Sequence, residues 1–178
     1  MSDSGESGSR IQGFVIGTVL DVLDPMGAGR ILLQLVVQPG RPTTAWAPVA
    51  APMAGNDRGA WTMPEVNDEA LVGFLHGEPE SPYVVGFLWN GPDRPPSTSP
   101  RERMLRSLNG HTIRLIDEPP SGGAAGALVI EDAHGNRIVL SNGRISIVSV
   151  ALLSIEAPVI TLSGPGWQRV VTPNSNPI

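Results

Sequence analysis

The sequence has no cysteine and no lysine; all 12 of its basic residues are arginine. The missing cysteine excludes disulfides and thiolate metal sites, so stability must come from burial or from association with other chains. A formal charge of −5 argues against nucleic acid or an anionic membrane as a partner, because attraction to phosphate dominates such affinities. No apolar run approaches the ~20 residues that a helix needs to cross a bilayer. Residues 1–10 are polar, so no signal peptide is expected. Helical patterning is also scarce: the best stretch, 101–108, is too short to stand alone in water. Only three histidines are present, His76, His111 and His134, and no two form a His-x-His pair.

Turns and short apolar runs fill the rest of the chain. Glycine and proline number 21 and 18, which predicts an ordered, turn-rich, all-β protein. The clearest signal is 63–90. Its runs 70–75 and 83–89 are rich in Val, Phe and Leu, and Gly77, Pro79 and Pro82 punctuate the interval, as in a hairpin. Upstream, 14–23, 30–38, 44–49 and 60–63 read as strands. Ile31, Leu33 and Leu35 alternate with Leu32, Gln34 and Val36. Trp46 and Trp61 read as core residues. Five or six strands in so short a span suggest a small barrel or sandwich, and a five-stranded OB-type barrel fits over 11–90. The Ser/Gly-rich stretch 1–10 is predicted to be disordered. Four prolines, 92, 95, 96 and 100, make 91–107 an extended linker or neck.

From 108 to 164 the sequence is a series of β segments: 109–117, 127–132, 137–140, 144–150, 152–156 and 159–162. The part from 127 onward is rich in Ile, Val and Leu and nearly uncharged. One chain of that length cannot cover its own apolar face or satisfy its edges. An intertwined homotrimer forming a closed β-prism solves both problems; a second small monomeric sandwich is the alternative. Gly164, Pro165 and Gly166 are expected to end the prism, leaving 165–178 as apex and tail.

Several stretches carry a recognisable pattern: Gly17-Thr18-Val19, Asp24-Pro25-Met26-Gly27-Ala28-Gly29-Arg30, Trp46 with Gly59 and Trp61, Pro64 to Phe74, Pro82 to Asn90, Asn109 to Asp117, and Gly135 to Leu140. In order and spacing they resemble the spike proteins of contractile injection machines, namely the phage baseplate assembly protein V family and the C-terminal half of VgrG-type spikes. The resemblance covers roughly 14–164. It implies an N-terminal OB-fold, then a trimeric triple-stranded β-helix needle, in a central, membrane-puncturing spike of a phage baseplate or injection system. It also implies a hub protein docked on the OB end, a separate protein here because only a short stretch precedes Phe14. A PAAR-like tip protein could sit at the apex, with Gly164 and Trp167 as the docking residues. Assembly would take place in the cytoplasm, into a phage tail or injection particle that contacts the target envelope transiently. Asn67 stands where the family has a turn glycine, and asparagine tolerates the positive φ such a turn needs. The rival readings are a trimeric tail fibre or adhesin and an OB-fold nucleic-acid-binding protein.

No enzymatic chemistry is expected. The interval 91–107 is too short for an inserted lysozyme domain. Asp132 and His134 flank a turn and lack a visible nucleophile, which favours turn chemistry over catalysis. Without a His-x-His pair, the apical iron site of some short spikes is not expected, and the Asp21/Asp24 and Asn56/Asp57 pairs lack a calcium-loop pattern. The sequence therefore points to no catalytic, metal or cofactor residue.

Overall fold

The computed structural model describes residues 10–38 and 40–171; the expectations for 1–9 and 172–178 lie outside the described residues. The chain divides into two compact units, Met1–Pro95 and Pro96–Ile178. No α-helix occurs among the described residues.

The first unit contains β1 (Val15–Asp21), β2 (Arg30–Gln38), β3 (Arg41–Pro48), the two-residue strands β4 (Ala54–Gly55) and β5 (Arg58–Gly59), β6 (Glu69–Phe74) and β7 (Pro82–Leu88). Five of them form one antiparallel sheet in the order β3-β2-β1-β6-β7. A parallel bridge, Val49 to Val84, joins the two ends, and the Ala50 N–H donates to the Val84 carbonyl at 2.8 Å. The sheet therefore closes into a five-stranded barrel, which removes its free edges. The strand alternation sends Val19, Ile31, Leu33, Leu35, Ala47, Ala70, Val72 and Val84 inward, where all are essentially fully buried. Leu32, Gln34 and Val36 take the opposite face of β2, as the period of two requires.

Local turn chemistry sets the barrel's entry points. The Asp24 carboxylate accepts hydrogen bonds from the amides of Met26, Ala28 and Arg30 and from the Arg30 guanidinium, at 2.8–3.2 Å. Its side chain is only 3 % exposed, and Arg30, followed by these amide donors, holds the carboxyl well below the usual carboxylate range. Arg30 in turn lies over the Trp46 ring, 5.7 Å from its centroid. Asn67 has φ +80°, as expected of the residue in place of the turn glycine. Its N–H donates to the Val19 carbonyl at 2.9 Å, which ties that turn to β1.

Three expectations for this unit fail. Trp46 is half-buried rather than core: it pairs with Leu32 on the outward face of β2 and β3, with Arg30 over its ring. Residues 60–63 form no strand. Trp61 is 73 % exposed rather than core: it packs across the turn at Gly29, where a Cβ would come within 2.9 Å of the indole.

The second unit contains β8 (Glu102–Arg106), β9 (Thr112–Ile116), β10 (Ala127–Glu131), β11 (Arg137–Ser141), β12 (Arg144–Val148), β13 (Ile160–Gly164) and β14 (Trp167–Val171). The first five make an antiparallel meander in the order β12-β11-β10-β9-β8, and the last two form a separate hairpin. Three readings are corrected here. The stretch 91–107 is not linker throughout: its prolines stop at Pro100, and β8 then pairs with β9. Residues 152–156 are not in a strand, because they pair with no other segment among the described residues. Gly164 to Gly166 do not end the strands. Pro165 and Gly166, with φ +78° at Gly166, turn β13 into β14, and pairing continues to Val171.

Candidate functional site

The register of the meander fixes what each face carries. One row across the strands is Leu105, Ile113, Ile130, Ile138 and Ile147. The adjacent row on the same face is Arg103, Leu115, Leu128, Leu140 and Ile145. The nine Leu and Ile side chains are all left open to solvent, from 36 % at Leu128 to 68 % at Ile145. The stripe is two side chains wide, ~7 Å, and crosses five strands, ~19 Å. It is an exposed apolar patch of the kind that marks a contact surface.

The opposite face is mixed and the less exposed of the two. Glu102, Arg114, Thr112, Glu131, Ser141 and Ser146 lie there, together with Met104, Ile116, Ala127, Val129, Val139 and Val148. Arg114 bridges two carboxylates, Glu102 at 3.4 Å and Glu131 at 3.2 Å. Its Nε and the Thr112 hydroxyl are buried without a hydrogen-bond partner among the described residues. They border a cleft of about 630 Å³ that also reaches Arg106, Asp132 and His134. The mixed face thus holds an ion-pair network within one chain, while the nine side chains of the apolar face are exposed among the described residues.

Residues 149–159 follow the meander. Val150, Leu152, Leu153, Ile155 and Val159 are each more than half exposed, and 151–159 take no part in any strand pairing. An apolar segment with unpaired backbone is a candidate contact edge. In the hairpin beyond it, Trp167 pairs with Gly164 across the turn and lies over it: a Cβ at Gly164 would meet the indole at 2.5 Å. Gly164 and Trp167, expected from sequence to serve together at the apex, are therefore neighbours in space, with Trp167 54 % exposed.

The other residues weighed from sequence have local roles. The Asp132 carboxylate accepts from the amides of His134 and Asn136 and from the Asn136 side chain, at 2.7–2.9 Å. Asn136 above all, with these amides, holds the carboxyl below its ordinary value, and Asp132 works as the turn residue it was read to be. His111 accepts from the Ala133 N–H at 3.3 Å through Nδ1, which brings it to the same turn as His134. His76 sits at φ +53° in the turn between β6 and β7. Sequence reading missed a groove of about 720 Å³ on the first unit, lined by Trp61, Met53, Val85 and Phe87. The Asp24-to-Arg30 turn was the available signal, since it carries the glycine over which Trp61 lies.

Residues 15–89, the barrel strands, match the type VI secretion system/phage-baseplate injector OB domain. Type VI secretion system spike protein VgrG5 of Pseudomonas aeruginosa is 34 % identical over 93 residues, 52 % of this chain and 11 % of that protein. VgrG2a of the same organism is 29 % identical over 90 residues, covering 51 % and 10 %. VgrG3 of Vibrio cholerae is 26 % identical over 98 residues, covering 55 % and 9 %. Each match thus spans about a tenth of the relative's length. Closed barrel, strand order and sequence agree with the resemblance drawn from the motifs: over residues 15–89 the chain is similar to the type VI secretion system/phage-baseplate injector OB domain, and over about half its length to VgrG-type spike proteins.

Proposed function

We propose that this chain is the central spike of a contractile injection machine, with the barrel as its anchor and the second unit as one third of a needle. The observation that carries the reading is an injector OB domain followed by a sheet whose nine Leu and Ile side chains lie uncovered on one face. Covering half-exposed residues of this size contributes about 1 kcal/mol each, on the order of 10 kcal/mol per chain before the entropy of association is subtracted. That is enough to hold copies together. The stripe runs across the strands, so copies joined along it stack their strands perpendicular to a common axis, with apolar side chains inside and the Arg114 network outside. Three copies close such a prism, and the unpaired segment 151–159 gains neighbours in the other two chains. A closed sheet around an apolar core has no free edge to fray, which suits a part that transmits axial force without chemistry.

In this reading the barrel docks on a baseplate hub protein. The β13–β14 hairpin forms the apex, where Gly164 and Trp167 meet a PAAR-like tip protein. The particle, phage tail or injection system, carries the assembled spike to the target envelope. Light scattering on the purified chain tests the assembly. A trimer supports the reading, and a monomer at micromolar concentration overturns it. Capture of a hub protein from the same gene neighbourhood by the isolated chain separates a spike from a tail fibre.

A further inference from the structure

The two apolar rows cross five strands, and only one of the positions they define is not Leu or Ile: Arg103, at the β8 end of the Leu115 row. Its guanidinium is ion-paired with Asp117. The alternation of β9 puts Asp117 on the same face as Leu115, and its N–H donates to the Arg101 carbonyl at 2.9 Å, which fixes it at the end of the stripe. Both side chains are more than half exposed, and an exposed pair of this kind adds little to the stability of one chain. Nothing in the isolated sheet calls for a charge in a row of Leu and Ile.

We infer that the Arg103–Asp117 pair sets the register and direction in which copies of this sheet associate. The inference rests on the self-association proposed above. When copies lie parallel with their β8 strands level, the pairs meet at one end of the stripe, where each guanidinium keeps a carboxylate and water. A slip of one strand, ~4.8 Å, moves Arg103 against the Leu115 level of a neighbour. An antiparallel arrangement moves it against Ile145 and Ile147. In either case the guanidinium loses water against hydrocarbon and gains no new partner, which is a strongly unfavourable placement. The far end of the stripe, at Ile145 and Ile147, has no charge in either row, so the ring forms at one end only and gives the assembly a direction. One polar position in an apolar seam specifies register in coiled coils by the same physics, at some cost in stability.

The absence of cysteine makes the test clean. In an Ile145→Cys variant of the full chain, a short bis-maleimide reads whether residue 145 of one copy lies beside residue 145 of another. Efficient self-cross-linking is expected in the otherwise unchanged chain. With Arg103→Leu and Asp117→Asn added, association is expected to persist while the self-cross-link falls roughly threefold, the drop if three neighbouring registers become equally populated. Exchanging the charges, Arg103→Asp with Asp117→Arg, keeps a ring at the same level and should retain the cross-link. Equal cross-linking with and without the pair, in chains that still associate, overturns the register role and leaves the assembly standing. Absence of association in the unchanged chain overturns the assembly itself, and the register role with it.

Discussion

In the barrel, Ile31, Leu33 and Leu35 are sealed by the strands around them, and in the meander, Ile130, Ile138 and Ile147 stand in an equally regular row open to solvent. Both sheets show the same alternation of apolar and polar residues. They differ in closure: the barrel joins its first and last strands through Val49 and Val84, whereas the meander ends in the free strands β8 and β12. The barrel buries eight hydrophobic residues, and among the described residues of the second unit only Val129 reaches that state, at 6 % exposure. Alternation decides which face is apolar but not what covers it. The first unit carries its cover within the chain, and in the proposed spike the second takes it from other chains.

That contrast can be broken from either side. The largest effect is expected from Ile138→Glu, which puts a carboxylate in the middle of the exposed stripe. Association should be lost altogether, because the assembled state would bury an unpaired charge, while the barrel keeps its fold; sedimentation and circular dichroism read the two together. Leu33→Ala is the mirror experiment. It leaves a cavity in a sealed core and should cost the barrel about 3 kcal/mol in urea unfolding, with no change in the oligomer's stoichiometry. Asp24→Asn tests the barrel's acid limb. The native carboxyl is held below its ordinary value, so its contribution is present at neutral pH and is lost as pH falls below the unfolded carboxyl's value near 3.8. The asparagine variant should be less stable at pH 7 and show a shallower loss from pH 4 to pH 2. The smallest shift is expected at Asn67, where alanine at φ +80° should cost about 1 kcal/mol and glycine should be close to neutral.

Legibility in the sequence followed the same division. The alternating β2 residues and the paired runs of β6 and β7 could be read because barrel strands are covered within the chain, so local pattern and final burial agree. Trp61 was misread because a large aromatic beside small residues looks like core, yet its partner is the open turn at Gly29 rather than the barrel interior. Strand β8 was hidden by the prolines before it, since Glu-Arg-Met-Leu-Arg carries little apolar signal of its own. Pro165-Gly166 was taken as an end although this pair also makes a tight turn. The stretch 152–156 has strand composition but no strand partner among the described residues, and composition alone does not say which segment a strand pairs with. The Leu and Ile of the second unit were legible as a group that needs covering. Their arrangement in two rows required the register, which no single stretch of sequence contains.

The central claim is that the barrel is complete in one chain and the second unit is not. Sedimentation equilibrium of the full chain beside a 10–95 fragment tests it most directly. The fragment should be folded and monomeric, and the full chain should run at three times its 18.7 kDa mass. A full chain that sediments as a folded monomer at micromolar concentration would contradict the account.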